Sequence, residues 1–276
     1  MTPHAELTFR RILVALDDAG PNRDALSAAV DLAARLSAHL EGLFVEDVNL
    51  LRAAALPFAF EISVPSGALQ PVDRCQLEAQ LRAAAESARA ALAAAAQPYP
   101  ITWSFRVARG QVSVELLGAA RSADLLVVGR RARRAGARPG QTARTAASGA
   151  PTSVLVAVHD HDLRLPMAVA YDGSLAADRA LDVVRRLSLE GGSAVTLLVS
   201  ADTEQGASSL ADEARLRLAP GPARVQWTGG DRIEDLIRVA QDSRALLVVG
   251  ADSPLFRSGG LERLLDAIDQ PLLVIR

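Results

Sequence analysis

An aspartate ends a short apolar run near the start of each half of the chain. Asp17 follows the run that begins at Ile12, and Asp172 follows the run that begins at Met167. An aspartate in this position can accept hydrogen bonds from an adenine amino group or a ribose hydroxyl. It can equally accept them from the free N–H groups at the start of the next helix, as an N-cap. The residue type alone leaves both roles open.

Glycine ends a second pair of apolar runs, DLLVVG at Gly129 and ALLVVG at Gly250. Glycine lets the backbone approach a phosphate closely, so that backbone N–H groups can bind the phosphate oxygens. Arg130 is the first of six arginines among residues 130–144, and arginine binds phosphate in a bidentate manner. A solvent-exposed basic loop is an alternative. A nucleic-acid contact is a third, although no aromatic residues interleave with these arginines.

The composition excludes several kinds of chemistry. The chain contains no lysine, which excludes a P-loop NTPase and Schiff-base catalysis. The net charge of −2 argues against a general nucleic-acid binder. The single cysteine, Cys75, cannot form an internal disulfide. His159 and His161 do not supply the three or four convergent ligands of a metal site, and no catalytic triad has supporting context.

The compartment that the sequence predicts is the cytoplasm. No apolar run precedes Ile12, so a signal peptide is not expected. No apolar run reaches the ~18 residues that a membrane span requires.

The landmarks of the first half recur in the same order in the second half. The sequence therefore predicts two copies of one unit, a first domain at residues 1–160 and a shorter second domain at residues 161–276. The first copy carries an apolar, proline-interrupted insertion at about residues 48–72. This insertion is expected to be either a partner contact or a flap over its own domain.

Short apolar runs alternate with helical patterns, which predicts an α/β fold with buried parallel strands. The predicted strands are 11–16, 39–45, 101–108, 125–129 and 153–158, then 167–171, 194–199, 224–227, 245–250 and 272–275. The predicted helices are 22–36, 73–96 and 112–121, then 176–187, 208–218, 233–242 and 261–268.

Ligands of open parallel sheets bind beyond the carboxyl ends of the strands. The candidate binding residues are therefore those that follow the first, second and fourth strands of each copy. They are Asp17, Val45, Gly129 and Arg130 in the first copy, and Asp172, Val199 and Gly250 in the second.

Together these motifs resemble the universal stress protein family in tandem. The resemblance rests on ILVALDD and MAVAYDGS, RDAL and DRAL, DLLVVG and ALLVVG, and SVLVAV and PLLVIR. It implies two Rossmann-like, adenine nucleotide alpha hydrolase-like domains, each with an open five-stranded parallel sheet, which pair through their last strands. It also implies a cytoplasmic protein of the stress response, in a family of which some members bind ATP.

The resemblance also implies where an adenine nucleotide would lie. The aspartate would bind the base, the second-strand valine would contact the base through its backbone, and the glycine would face the ribose and phosphates. The nucleotide-binding branch carries G-x2-G-x9-G-[ST] after the fourth strand. Only the first glycine of this pattern, Gly129 or Gly250, is present in each copy.

We therefore expect a non-catalytic regulatory factor with weak or absent binding of ATP, ADP or AMP, located in the first copy if in either. Slow hydrolysis is an alternative, for which Asp252 is the carboxylate to test. A second alternative is a protein-interaction scaffold that uses residues 50–72. An intrachain pseudo-dimer, with or without a homodimer, is expected, whereas a metal, a membrane and a nucleic-acid partner are not.

Overall fold

The computed structural model describes most of the chain. The described residues are 9–17, 23–56, 58–62, 69–130, 139–158, 166–191, 193–219, 221, 223–228, 233–242 and 244–276. The predicted boundary at 160/161, the two histidines of that linker and most of the arginine-rich segment lie outside the described residues.

Strands and helices alternate through both halves. The first half comprises β1 (Arg11–Leu16), α1 (Arg23–Leu36), β2 (His39–Asp47), α2 (Val48–Ala54), β3 (Phe60–Ile62), β4 (Leu69–Pro71), α3 (Arg74–Ala96), β5 (Trp103–Gly110), α4 (Val112–Ala120), β6 (Leu125–Gly129), α5 (Gln141–Gly149) and β7 (Ser153–Ala157). The second half comprises β8 (Met167–Tyr171), α6 (Leu175–Gly191), β9 (Val195–Val199), α7 (Glu204–Leu218), β10 (Ala223–Trp227), α8 (Ile233–Asp242), β11 (Leu246–Gly250), a 3₁₀ helix (Pro254–Gly259), α9 (Gly260–Ala267) and β12 (Leu272–Ile275).

Ten strands form one continuous sheet in the order β10-β9-β8-β11-β12-β7-β6-β1-β2-β5. In this sheet all pairs within each half are parallel, and the pair β12–β7 that joins the halves is antiparallel. The expected fold class, two Rossmann-like units with five parallel strands each, is confirmed. The antiparallel pair, which we call the seam, places Val154 opposite Val274, so the two halves meet through their last strands.

The core lies on both faces of this sheet. Strands β7, β8 and β11 are buried along their whole length, as expected for parallel strands that helices cover on both sides. Aromatic residues make up only 4% of the chain, and buried alanines of α1, α5 and α6 let these helices lie close to the sheet. Among the described helices, none combines the length and apolar character needed to cross a bilayer.

The insertion of the first half folds as α2 followed by the antiparallel hairpin β3–β4. On α2, Leu51 and Ala54 are buried. Other large apolar side chains of this segment face outwards, including Phe58, which is 71% exposed, and Leu69, which is 68% exposed. The segment is thus anchored by one face of α2 and exposes an apolar surface.

Candidate functional site

A cavity of about 370 Å³ opens at the carboxyl ends of β1, β2 and β6 in the first half. Asp17, Val45 and Gly129 all line it. The topology explains this convergence, because β1 lies between β2 and β6 and all three strands run in the same direction. The volume falls within the range typical of small-molecule sites.

Connections that cross this edge of the sheet supply the other walls. The polar lining also includes Asp47, Asn49, Gln111, Ser113, Gln141, Thr142 and Thr145, and the apolar lining includes Leu16, Leu43, Phe44, Leu50, Leu81, Val112, Leu116 and Val128. Sequence reasoning missed these polar residues. Asp47, Asn49 and Leu50 belong to the end of β2 and to α2, so the insertion forms part of the cavity wall.

Helix α5 begins at the cavity with Gly140 as its N-cap residue, and no side chain caps this helix end. The last pair of the family pattern, Gly-[Ser/Thr], falls on Thr142 and Ala143 when it is counted from Gly129, but the glycine observed at the start of the helix is Gly140. Its N–H donates to the carbonyl of Arg130 at 3.0 Å. A glycine that lies outside the family spacing therefore stands at the cavity edge.

Arg130 is not among the residues that line the cavity. It is buried, with 5% of its surface exposed. Its Nη1 donates to the carbonyl of Ile268, and its Nη2 lies 3.5 Å from Oδ1 of Asp269. Burial lowers the pKa of the guanidinium, and the nearby carboxylates of Asp269 and Asp266 partly offset this. The structure thus directs Arg130 to the second half, away from Asp17, Val45 and Gly129.

In the second half, the predicted aspartate is bonded to neighbouring residues. Asp172 accepts a hydrogen bond from Oγ of Ser253 at 2.5 Å and another from the N–H of Ser174 at 2.9 Å. Ser253 is buried, with 7% of its surface exposed. Protein groups therefore hold both oxygens of this carboxylate.

The other two predicted residues of the second half are also enclosed. The carbonyl of Val199 accepts hydrogen bonds from both the N–H and the Oγ1 of Thr228. A Cβ atom on Gly250 would lie 2.6 Å from the carbonyl carbon of Ala176, so the start of α6 already occupies the space beside this glycine. The second half brings its predicted residues to one sheet edge but packs that edge with its own atoms.

Asp252, the carboxylate considered for hydrolysis, lies outside the cavity and beside an arginine. Asp252 lies near Arg276, whose pKa is lowered by burial and raised in part by this carboxylate. Neither residue lines the cavity. Within the described parts of the chain, no cluster of three or more His, Cys, Asp or Glu residues is arranged to hold a metal ion.

Comparisons with known proteins agree with this architecture. Residues 8–158 match the family model described as Universal stress protein family. The fold is similar to a universal stress protein from Archaeoglobus fulgidus DSM 4304, with a TM-score of 0.72, 15% identity, and 97% of this chain and 98% of that chain covered. It is also similar to a functionally unknown protein from Pseudomonas aeruginosa PAO1, with a TM-score of 0.62, 16% identity, and coverage of 98% and 94%.

Likenesses at these identities establish the fold alone, and no curated protein matches the chain. The family assignment rests instead on the match of the family model, which spans more than half of the chain. The chain belongs to the universal stress protein family.

Proposed function

We propose that this chain is a non-catalytic, cytoplasmic stress-response factor that binds one adenine nucleotide, weakly, in its first half. The second half binds none. The observation that carries the proposal is the contrast between the two halves: Asp17, Val45 and Gly129 line a cavity, whereas the equivalent residues of the second half are packed against protein atoms.

The composition of the cavity supports a nucleoside-like ligand. Apolar side chains from β1, β2 and α4 can pack against a base. Asp17 can accept hydrogen bonds from its amino group, and Gly129 can admit the ribose and first phosphate. Gln141 and Thr142, at the start of α5, offer N–H and hydroxyl donors beside them.

Weak binding follows from the loop between β6 and α5. Backbone N–H groups of glycine-rich turns bind phosphates because no Cβ atoms obstruct them. Of the family pattern this loop keeps only Gly129, because Ala132 and Thr142 stand at the other two glycine positions and Gly140 lies outside the spacing. The second and third phosphates are therefore expected to contribute little, and ATP should bind about as tightly as AMP.

Among the described residues, two carboxylates line the cavity, those of Asp17 and Asp47. Asp47 caps α2, because its Oδ1 accepts the N–H of Asn49 at 2.9 Å. Asp17 also has an interaction within the chain. Asp252, the carboxylate of the hydrolysis alternative, lies outside the cavity lining. Hydrolysis would require a base held next to an attacking water.

Isothermal titration of the full chain with ATP, ADP and AMP tests this proposal. The wild-type chain should bind with a stoichiometry of one, and the affinities for ATP and AMP should agree within about threefold, which is below 1 kcal/mol. Asp17→Asn should abolish measurable binding. Asp172→Asn, the matched change in the second half, should leave the affinity unchanged.

Three results would contradict the proposal. They are a stoichiometry of two, a loss of binding in D172N but not in D17N, and the absence of binding of all three nucleotides. ATP binding more than tenfold tighter than AMP binding would also contradict the proposal, because it would show that the loop binds the second and third phosphates.

A further inference from the structure

We infer that the second half of the chain is the support that positions the ligand-binding segment of the first half, with Arg130 and Arg144 as positioning residues. By this segment we mean its described residues, which are Gly129, Arg130 and residues 139–145. The functional part of this inference rests on the function proposed above. The structural part, that contacts across the seam hold the segment, stands independently.

The two described ends of this segment are tied to each other. The N–H of Gly140 donates to the carbonyl of Arg130 at 3.0 Å, which closes the loop at its base. Nε of Arg144 donates to the carbonyl of Pro139 at 3.3 Å. The position of Gly129 is therefore coupled to the position of the first turn of α5, and both lie at the cavity edge.

Arg130 attaches the first end to the second half. Its guanidinium donates to the carbonyl of Ile268, the residue that follows α9, and lies near Asp269. This contact crosses the seam between two residues 138 positions apart in the chain. Because Arg130 is buried and bonded at this end, a displacement of α9 would be transmitted to the residue next to Gly129.

Helix α5 is attached to the second half at further points along its length. Arg144 pairs with Asp266 of α9, and Oγ of Ser148 donates to Oε1 of Glu262 at 3.2 Å. Near its end, the carbonyl of Ala147 accepts a hydrogen bond from Nη2 of Arg276 at 2.5 Å.

These partners lie on α9 and at the end of β12, outside the cavity. Thr142 and Thr145 of the same helix line the cavity. The helix therefore contacts both the ligand site and the second half. A ligand gains affinity when the groups that contact it are held in place before it binds, and here the second half holds them.

The test uses Asp266→Asn in the full chain, which removes the partner of Arg144 without altering a cavity residue. The matched control is Asp212→Asn on α7, which breaks an exposed pair with Arg215 in the same half. Asp266→Glu, which keeps the charge, serves as the rescue variant. Two measurements are made on each variant: hydrogen–deuterium exchange of peptides that cover 139–149, and AMP affinity by titration calorimetry.

D266N should increase exchange in 139–149 and weaken AMP binding roughly three- to tenfold. D212N should change neither measurement, and D266E should restore both at least in part. Unchanged exchange in D266N would overturn the inference, and so would faster exchange with unchanged AMP affinity. If the wild-type chain binds no AMP, the proposed function fails, while the exchange data still decide whether the second half holds the segment.

Discussion

Gly250→Ala is the perturbation that tests most directly whether the second half has lost its ligand space. Gly250 is the last residue of β11, and it packs against the first turn of α6. An added Cβ would lie 2.6 Å from the carbonyl carbon of Ala176, and 2.7 Å from the Cβ of Ala176 and the N of Ala177. Two of these atoms are backbone, so rotation of a side chain cannot relieve the clash.

The cost can be worked from these distances. Non-bonded carbon atoms are most stable at about 3.5–4.0 Å, so the methyl group requires a displacement of roughly 1 Å. Ala176 and Ala177 are fully buried at the start of α6, and β11 lies inside the sheet. Overpacking of this kind lowers the free energy of unfolding by about 1–3 kcal/mol.

Urea unfolding followed by circular dichroism measures this change, and Gly118→Ala is the matched control. Gly118 lies in α4, and nothing lies within 4 Å of a Cβ built on it. The same substitution should raise the free energy of unfolding there by about 0.5–1 kcal/mol, because alanine favours a helix. If G250A is as stable as the wild-type chain, α6 does not fill the space beside Gly250, and the second site is not closed by this helix.

Three further substitutions have expected effects in urea unfolding. Burial, with Asp178 nearby, raises the pKa of the Tyr171 hydroxyl well above its usual range. The wild-type chain should therefore lose about 1.4 kcal/mol of stability at pH 11 from this group, because the hydroxyl ionises near its ordinary pKa only when unfolded, and Tyr171→Phe should lack this loss. Arg276→Ala removes donors to two first-half carbonyls and should cost about 1–2 kcal/mol. Asp73→Ala removes the N-cap of α3 and should cost about 1 kcal/mol.

Each of these substitutions has a control or a contradicting result. If the free energy of unfolding of Y171F and of the wild-type chain falls equally as the pH rises, the Tyr171 hydroxyl is accessible in the folded chain. That result would contradict the observed burial of Tyr171. Asp73→Ser keeps a capping oxygen and should retain most of the stability. For Arg276, an unchanged free energy of unfolding in the alanine variant would show that its contacts across the seam contribute no stability.

The bounds of the buried strands could be predicted from the sequence because their apolar runs are continuous. The structure places β1, β6, β8 and β12 at the predicted residues. The edge strand β5 was predicted at 101–108 and is observed at Trp103–Gly110. It is half-exposed and carries charged residues, so the apolar pattern does not define its ends.

Helix α5 was not predicted, and its composition explains why. Its buried residues are Ala143, Ala146 and Ala147, whose spacing fits one helical face but whose side chains give little hydrophobic contrast. Its N-cap residue is Gly140, and glycine signals a helix start less clearly than serine or aspartate. Counting a fixed phosphate-loop spacing from Gly129 then led to Thr142 and Ala143, past the start of the helix.

The convergence of Asp17, Val45 and Gly129 could be predicted because the direction and order of parallel strands bring their carboxyl ends together. The placement of Asp47 and Gln111 depends on how connections fold over the sheet edge, which the strand pattern does not determine. The bond between Ser253 and Asp172 likewise joins two loops that are far apart in the chain. No periodicity in the sequence reports such a contact.

The seam and the two ligand edges are under different physical constraints. Both halves depend on the β7–β12 pair, because these strands are buried and would expose apolar surface and unpaired backbone groups if separated. Each ligand edge belongs to one half only, so one can close without weakening the seam. The internal bonds of Asp172 and Val199 add hydrogen bonds to the second half. Under the function proposed above, a second half whose site is filled by its own atoms would serve as the support for α5, and the binding site would remain in the first half.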